Sequence, residues 1–181
     1  NVSRIESGRF KINPQPVEVN ELVRRAINAV KTQAADHTFS LSLPDPSPVI
    51  MADRDQTEQV LLNLLANALK YSNRGSAIAV TIRLDDEWME CTIADDGPGI
   101  SPAQVPHLFD KFYRVDGPAG GRSPGSGLGL YICKTIIDAH RGKIWASSTP
   151  EKGSAFTFAL RRLAHVGAAP PTVAHHNVHK S

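Results

Sequence analysis

Glu58-Gln59-Val60-Leu61-Leu62-Asn63-Leu64-Leu65-Ala66-Asn67-Ala68-Leu69-Lys70-Tyr71 decides how the rest of this chain is read. The stretch holds no Gly or Pro, is built of strong helix formers, and follows Asp53 and Asp55, either of which can cap a helix. Between Val60 and Leu69 the only polar residues are Asn63 and Asn67. A helix apolar nearly all round is expected to be buried, and its polar exceptions carry the information. At about 100° per residue, Asn63, Asn67, Lys70 and Tyr71 share one stripe, gathering two carboxamides, an ammonium and a phenol. An unpartnered buried amide costs about 1–3 kcal/mol, so two of them one turn apart call for partners. Neighbouring backbone is one candidate. The other is a hydrated cation with the oxygens it carries, because Mg²⁺ keeps its waters and takes one or two protein ligands beside phosphates.

At 181 residues the chain has the length of one domain with appendages. Apolar content of 41% and charged content of 21% are those of a soluble globular protein. A formal charge of +2 gives no electrostatic reason to invoke nucleic acid or a membrane surface. Cys91 and Cys133 sit in apolar-patterned segments and read as small buried hydrophobes, which fits a reducing, cytoplasmic setting and no disulfide framework. No apolar run is long enough to span a bilayer, and no signal peptide is visible. The chain begins with Asn1 and reads as a piece of something longer.

Around the central helix, short strands alternate with helices. Residues 1–10 read as the end of a helix closed by Gly8, and Pro14 and Pro16 mark a linker. A helix is expected over residues 20–35, capped by Asn20, with Leu22, Ala26, Ala29 and Val30 on its apolar face. Phe39, Leu41 and Leu43 alternate like a half-buried strand, Pro44-Asp45-Pro46 turns the chain, and residues 49–52 form a short strand into the central helix. Ile78, Val80, Ile82 and Leu84 alternate strictly, Asp85-Asp86 turns the chain, and residues 88–93 return as a hairpin partner. Residues 128–139 read as a helix released by Gly142, and residues 143–147 pair with 156–160 as a second hairpin. Beyond Leu163 the composition turns to Ala, Pro and His without periodicity, which reads as a disordered tail. The architecture this implies is α+β: a mixed, mostly antiparallel sheet with helices on one face.

Three further segments carry chemistry. Asp95-Asp96-Gly97-Pro98-Gly99-Ile100 puts a carboxylate at a strand end. Carboxylate oxygens only accept hydrogen bonds, so Asp95 suits an amino group such as adenine N6, and Gly97 and Gly99 let backbone approach a flat base. Taken alone, the same residues make a plain turn. Phe109, Phe112 and Tyr113 read as core residues, with Arg114 beside them in reach of phosphate oxygens and residues 116–127 suited to a lid. Gly125-Ser126-Gly127-Leu128-Gly129-Leu130 opens a helix, where bare backbone N–H groups can hold phosphate. It lacks the Lys-Ser/Thr ending of the P-loop, follows no strand as the dinucleotide fingerprint must, and has no H-R-D or D-F-G after it.

In this order the tandem-Asn helix, Asp-x-Gly-x-Gly, the Phe-rich block and Gly-x-Gly-x-Gly resemble the N, G1, F and G2 boxes of sensor histidine kinases. The resemblance covers residues 5–160 and implies the Bergerat fold, a two-layer α/β sandwich shared with gyrase B, mismatch-repair and heat-shock-chaperone ATPases. It implies ATP and Mg²⁺ as cofactors, with Asn63 and Asn67 holding the metal and triphosphate oxygens. Lys70 and Arg114 then contact phosphates, Tyr71 lies by the ribose or phosphates, and Asp95 binds the adenine amino group beside Gly97, Gly99 and Ile100. Gly125, Ser126, Gly127, Leu128, Gly129 and Leu130 form the hinge and phosphate cradle, and Ser154, after Gly153, belongs to a last glycine box. Asn63, Lys70 and Arg114 are the implied catalytic residues. Gyrase-type ATPases carry a Glu one helical turn before the second Asn. The residue here is Asn63, which cannot act as a general base, so ATP is expected to be held for transfer rather than hydrolysed.

The implied layout is residues 1–13 as the end of a dimerisation helix with its linker, 14–163 as the ATP-binding catalytic domain and 164–181 as the tail. The implied partners are the dimerisation and phosphoacceptor domain of the same protein and a response-regulator receiver domain. The fragment is expected to be monomeric, the parent homodimeric. The acceptor motif, a His followed by an acidic residue, is absent from this sequence. Of the histidines, His140 is expected to cap or pack at a helix end, His175, His176 and His179 fall in the tail, and His37, His107 and His165 carry no motif. A gyrase-like or chaperone-like ATPase and a nucleotide-binding module without phosphotransfer remain alternatives.

Overall fold

The computed structural model describes residues 10–34, 36–115 and 125–163. All but the last residue of the helix end expected over residues 1–10, most of the lid segment and the tail with its histidines lie outside them. In chain order the elements are β1 (Gln15–Glu18), α1 (Val19–Val30), a 3-10 turn (Lys31–Gln33), β2 (Thr38–Ser42), β3 (Val49–Ala52) and α2 (Arg54–Tyr71). Then come β4 (Ala77–Leu84), β5 (Trp88–Asp95), a 3-10 turn (Val105–His107), α3 (Gly129–Ala139), β6 (Lys143–Thr149) and β7 (Gly153–Arg161).

Five strands form one sheet in the order β2-β4-β5-β7-β6, with β2 parallel to β4 and all other neighbours antiparallel. β1 and β3 pair separately as an antiparallel ribbon. Period-2 alternation sends Ile78, Val80 and Ile82 of β4, Met89, Cys91 and Ile93 of β5 and Phe156, Phe158 and Leu160 of β7 into the core. The register lines these residues up in rows, Ile82 opposite Cys91 and Cys91 opposite Phe158. The three helices cover that face, which completes the two-layer sandwich the resemblance implies. On the opposite face Thr92 and Thr157 stand opposite each other with their hydroxyls 2.9 Å apart, and Trp88 lies between Lys143 and Arg161, each cation 4.8 Å from its ring centroid.

The central helix departs from the expectation of burial all round. Thr57, Val60, Leu61, Leu64, Leu65 and Ala68 are buried, whereas Asn63 and Asn67 are half-buried and Ala66, Lys70 and Tyr71 exposed. α2 lies on a single sheet and has one core face, so its amide stripe borders solvent. Its N-cap is Asp53, whose Oδ1 accepts from the Gln56 N–H at 3.1 Å.

α1 ends at Val30, and Asn20 lies inside its first turn, not at the cap. The first N–H groups bond outward instead: Val19 donates to Pro48 O at 3.0 Å and Asn20 to Ser47 Oγ at 3.1 Å. The helix buries Val19, Leu22, Val23, Ala26, Ile27 and Val30, while Ala29 points to solvent.

Candidate functional site

Each expected site residue comes from an element whose local reason is visible. Asn63 and Asn67 ride one turn apart on α2, which Asp53 caps and the row from Val60 to Ala68 anchors. α3 crosses beside α2, and its first residue brings the glycine loop to the amide stripe: Asn63 Nδ2 donates to Gly129 O at 3.3 Å. That bond leaves Asn63 Oδ1 as an acceptor, and no partner for the Asn67 carboxamide occurs among the described residues. Cys133, one turn into α3, lies behind this contact, with its thiol directed at Val60 O at 3.9 Å.

Lys70 and Tyr71 end the same helix, with the ammonium 4.8 Å from the phenol ring centroid. Gly125 stands next to that ammonium, since a Cβ there would lie 3.2 Å from Lys70 Nζ. Gly127 is left-handed, φ +68°, and packs against the aromatic block, where a Cβ would lie 2.7 Å from the Phe112 carbonyl carbon. The Phe112 N–H donates to Gly127 O at 3.0 Å. Leu128 N–H donates to Ser126 Oγ at 3.3 Å, and Leu130 is half-buried against the core. Phe109 and Tyr113 pack against the core as expected, but Phe112 is 60% exposed with φ 63°. Its bond to Gly127 fixes the backbone and turns the ring to solvent. Arg114 is half-buried just ahead of the undescribed segment.

Asp95 closes β5. Its Oδ1 accepts from the Gly97 N–H at 2.9 Å, and burial is the largest influence on the carboxyl, raising its pKa above the ordinary carboxylate value. N–H groups of Gly97 and Ser154 work in the opposite direction. Gly97 and Gly99 are required by protein backbone: a Cβ would strike Tyr71 O in the first case and Thr149 O in the second. Ile100 donates its N–H to Ser148 Oγ at 2.8 Å, and Ser154 is buried with its hydroxyl 2.9 Å from that same Ser148 oxygen. Ser148 lies just past the strand expected over residues 143–147 and carries no signal in the sequence.

The structure therefore brings together the amide stripe, Lys70, Tyr71 and the glycine loop. A second cluster, Asp95, Gly97, Gly99, Ile100 and Ser154, adjoins it where Gly97 packs on the last residue of α2. Among the described residues no group of three or more His, Cys, Asp or Glu could hold a metal ion. The donor set at the stripe is neutral amide oxygen, which fits a Mg²⁺ that arrives with phosphate oxygens and water, and not a site closed by protein alone. Among the described residues no helix is long and apolar enough to cross a membrane.

These features define a two-layer α/β sandwich in which an amide-bearing helix faces a glycine-rich segment at the start of α3. The sequence pattern of the histidine kinase-, DNA gyrase B- and HSP90-like ATPases matches residues 52–164, and the chain belongs to that family. It is 36% identical over 159 residues to the sensor protein KdpD of Escherichia coli K12, an alignment covering 88% of this chain and 17% of that protein. Among solved structures it resembles the mycobacterial sensor histidine kinase MprB, with TM-score 0.74, 28% identity and coverage of 83% of this chain and 98% of that one. It also resembles full-length ShkA in complex with AMPPNP, with TM-score 0.78, 25% identity and coverage of 92% of this chain and 34% of that one. The chain spans about a sixth of KdpD, and its fold is that of histidine kinase catalytic domains.

Proposed function

We propose that this chain binds Mg-ATP and presents its γ-phosphoryl group to a histidine on a dimerisation domain of the same parent protein, in two-component signalling. The observation that carries the reading is the Asn63–Gly129 contact, which sets the amide stripe of α2 against the N-terminal end of α3. Backbone N–H groups there, Lys70 and Arg114 take the phosphates, and Asp95 accepts from the adenine amino group. Asn63 and Asn67 hold Mg²⁺, which when bound neutralises phosphate charge. An imidazole nitrogen of the acceptor forms the new P–N bond, the bond from γ-phosphorus to the ADP oxygen breaks, and the imidazole proton goes to water. The chain's own contribution is positioning and charge neutralisation. A receiver domain then takes the phosphoryl group from the histidine.

Asn63 stands where a hydrolytic ATPase needs a carboxylate, so this chain lacks a group there to activate water. The deciding experiment mixes the chain with a separate dimerisation hairpin and labelled ATP. Acid-labile phosphohistidine on the hairpin, with little release of free phosphate, supports the proposal. Steady-state phosphate release that disappears in Asn63→Ala indicates a gyrase-like ATPase. Intact ATP binding with no transfer to any hairpin indicates a binding module.

A further inference from the structure

Ser148 belongs to no motif, yet its hydroxyl joins three chain segments. The Ile100 N–H donates to its Oγ at 2.8 Å, its own proton reaches Gly153 O at 2.9 Å, and Ser154 Oγ lies 2.9 Å away. A hydroxyl has one donor and two acceptor sites, and with the Ser154 hydroxyl donating all three are filled. Around this centre the loop after β5 and the turn between β6 and β7 are fastened together. Glu151 N–H donates to Pro98 O at 2.7 Å, Gly99 (φ +72°) packs on Thr149 backbone, and Gly153 (φ +92°) packs on the Asp95 carbonyl. Gly153 precedes Ser154, and Ile100 lies three residues after Gly97 in the same loop; the N–H groups of Gly97 and Ser154 meet the Asp95 carboxylate.

We propose that Ser148 is a positioning residue for base recognition: its hydroxyl clamps the loop carrying Asp95 to the β6–β7 turn, so that the carboxylate keeps one orientation toward a 6-amino purine. The inference rests on the nucleotide reading above and extends it from the residue that touches the base to the one that holds it.

The test compares MgATP with MgITP, which carries a carbonyl in place of the 6-amino group, by titration calorimetry on the whole chain. Ser148→Ala is expected to weaken MgATP by about fivefold, the worth of one hydrogen bond, while MgITP changes little, so that the preference collapses. Ser148→Thr, which keeps the hydroxyl, is expected to restore it. Amide hydrogen exchange at Ile100 should quicken in the alanine variant while the β5–β7 ladder stays protected. If the alanine variant does not fold, Ser148→Cys, similar in size with a weak S–H, supplies the same comparison. Equal losses for both nucleotides, an unchanged ratio, or no restoration by threonine overturns the proposal while leaving the nucleotide site standing. No preference for MgATP in the unmodified chain overturns the nucleotide reading and the proposal with it.

Discussion

In the proposed site, Asp95 is a side chain that serves nucleotide binding at the expense of stability. Burial raises its pKa, so between the ordinary carboxylate value and the raised one the folded chain holds a proton that the unfolded chain has lost. Stability from this group therefore falls as pH rises through that window, whereas the ionised form that accepts from an amino group is gained across it. Asp95→Asn should cost tenfold or more in MgATP affinity, about the worth of a charged hydrogen bond, while leaving the melting temperature at neutral pH no lower. Lost binding with an equally large fall in melting temperature would show a structural carboxylate instead. Acidification should weaken MgATP binding in the parent chain beginning above the ordinary carboxylate range, and calorimetry across pH should find no such step in Asp95→Asn. Burial alone pushes the Cys91 thiol up to about 12, and it leads the causes that bring Cys133 to about 12 as well. Both should react with a thiol reagent only after denaturant is added; rapid labelling of the native chain would refute their burial.

At the scale of elements, the pieces local chemistry controls were legible and those tertiary partners control were not. The α2 cap is narrowed to Asp53 or Asp55 because both precede a long run of helix formers free of Gly and Pro, and strands β4 and β5 are readable because Ile78, Val80 and Ile82 alternate before a turn whose Asp85 accepts the Glu87 and Trp88 N–H groups. The start of α1 was misplaced because its free N–H groups are met by Ser47 and Pro48, far along the chain. The end of α3 was half read: Arg141, φ 57°, takes the left-handed position, and Gly142 is needed because a Cβ would lie 2.5 Å from Ala159 O. His140 does more than cap its own helix. Its Nδ1–H donates to Ile136 O at 2.7 Å, and its Nε2 accepts from the Asp53 N–H at 2.9 Å, joining the end of α3 to the start of α2. His140→Ala leaves that N–H without its acceptor, at a cost of about 1–3 kcal/mol. At about 2–4 °C per kcal/mol for a domain of this size, a clear fall in melting temperature is expected, with MgATP affinity of the folded chain kept within about twofold. Unchanged melting would show that the link contributes nothing.

At the scale of the whole molecule, the sheet depends on the last of its described strands. β7 lies between β5 and β6, so the sheet's centre closes only when residues 153–161 are in place. Sequence periodicity revealed both hairpins but carries no signal for the joint between β5 and β7, a long-range pairing set by core rows and the Thr92–Thr157 contact. The same was true of the site, where residue types were readable but the distance between the Asp95 cluster and the amide stripe awaited the Gly97–Tyr71 packing. Without β7, Met89, Cys91 and Ile93 lose Leu160, Phe158 and Phe156 as neighbours. Burying each of those β7 side chains is worth about 1.5–3 kcal/mol, against about 5–15 kcal/mol for a whole domain. A chain ending at Thr149 should therefore show no cooperative unfolding transition by calorimetry and no MgATP binding. One ending at Leu163 keeps β7 and the bond from the Leu163 N–H to Val49 O at 3.0 Å, and should melt cooperatively. A cooperative transition in the shorter chain would mean that β2, β4 and β5 with the helices are a sufficient folding unit, and that the last strand only completes the site.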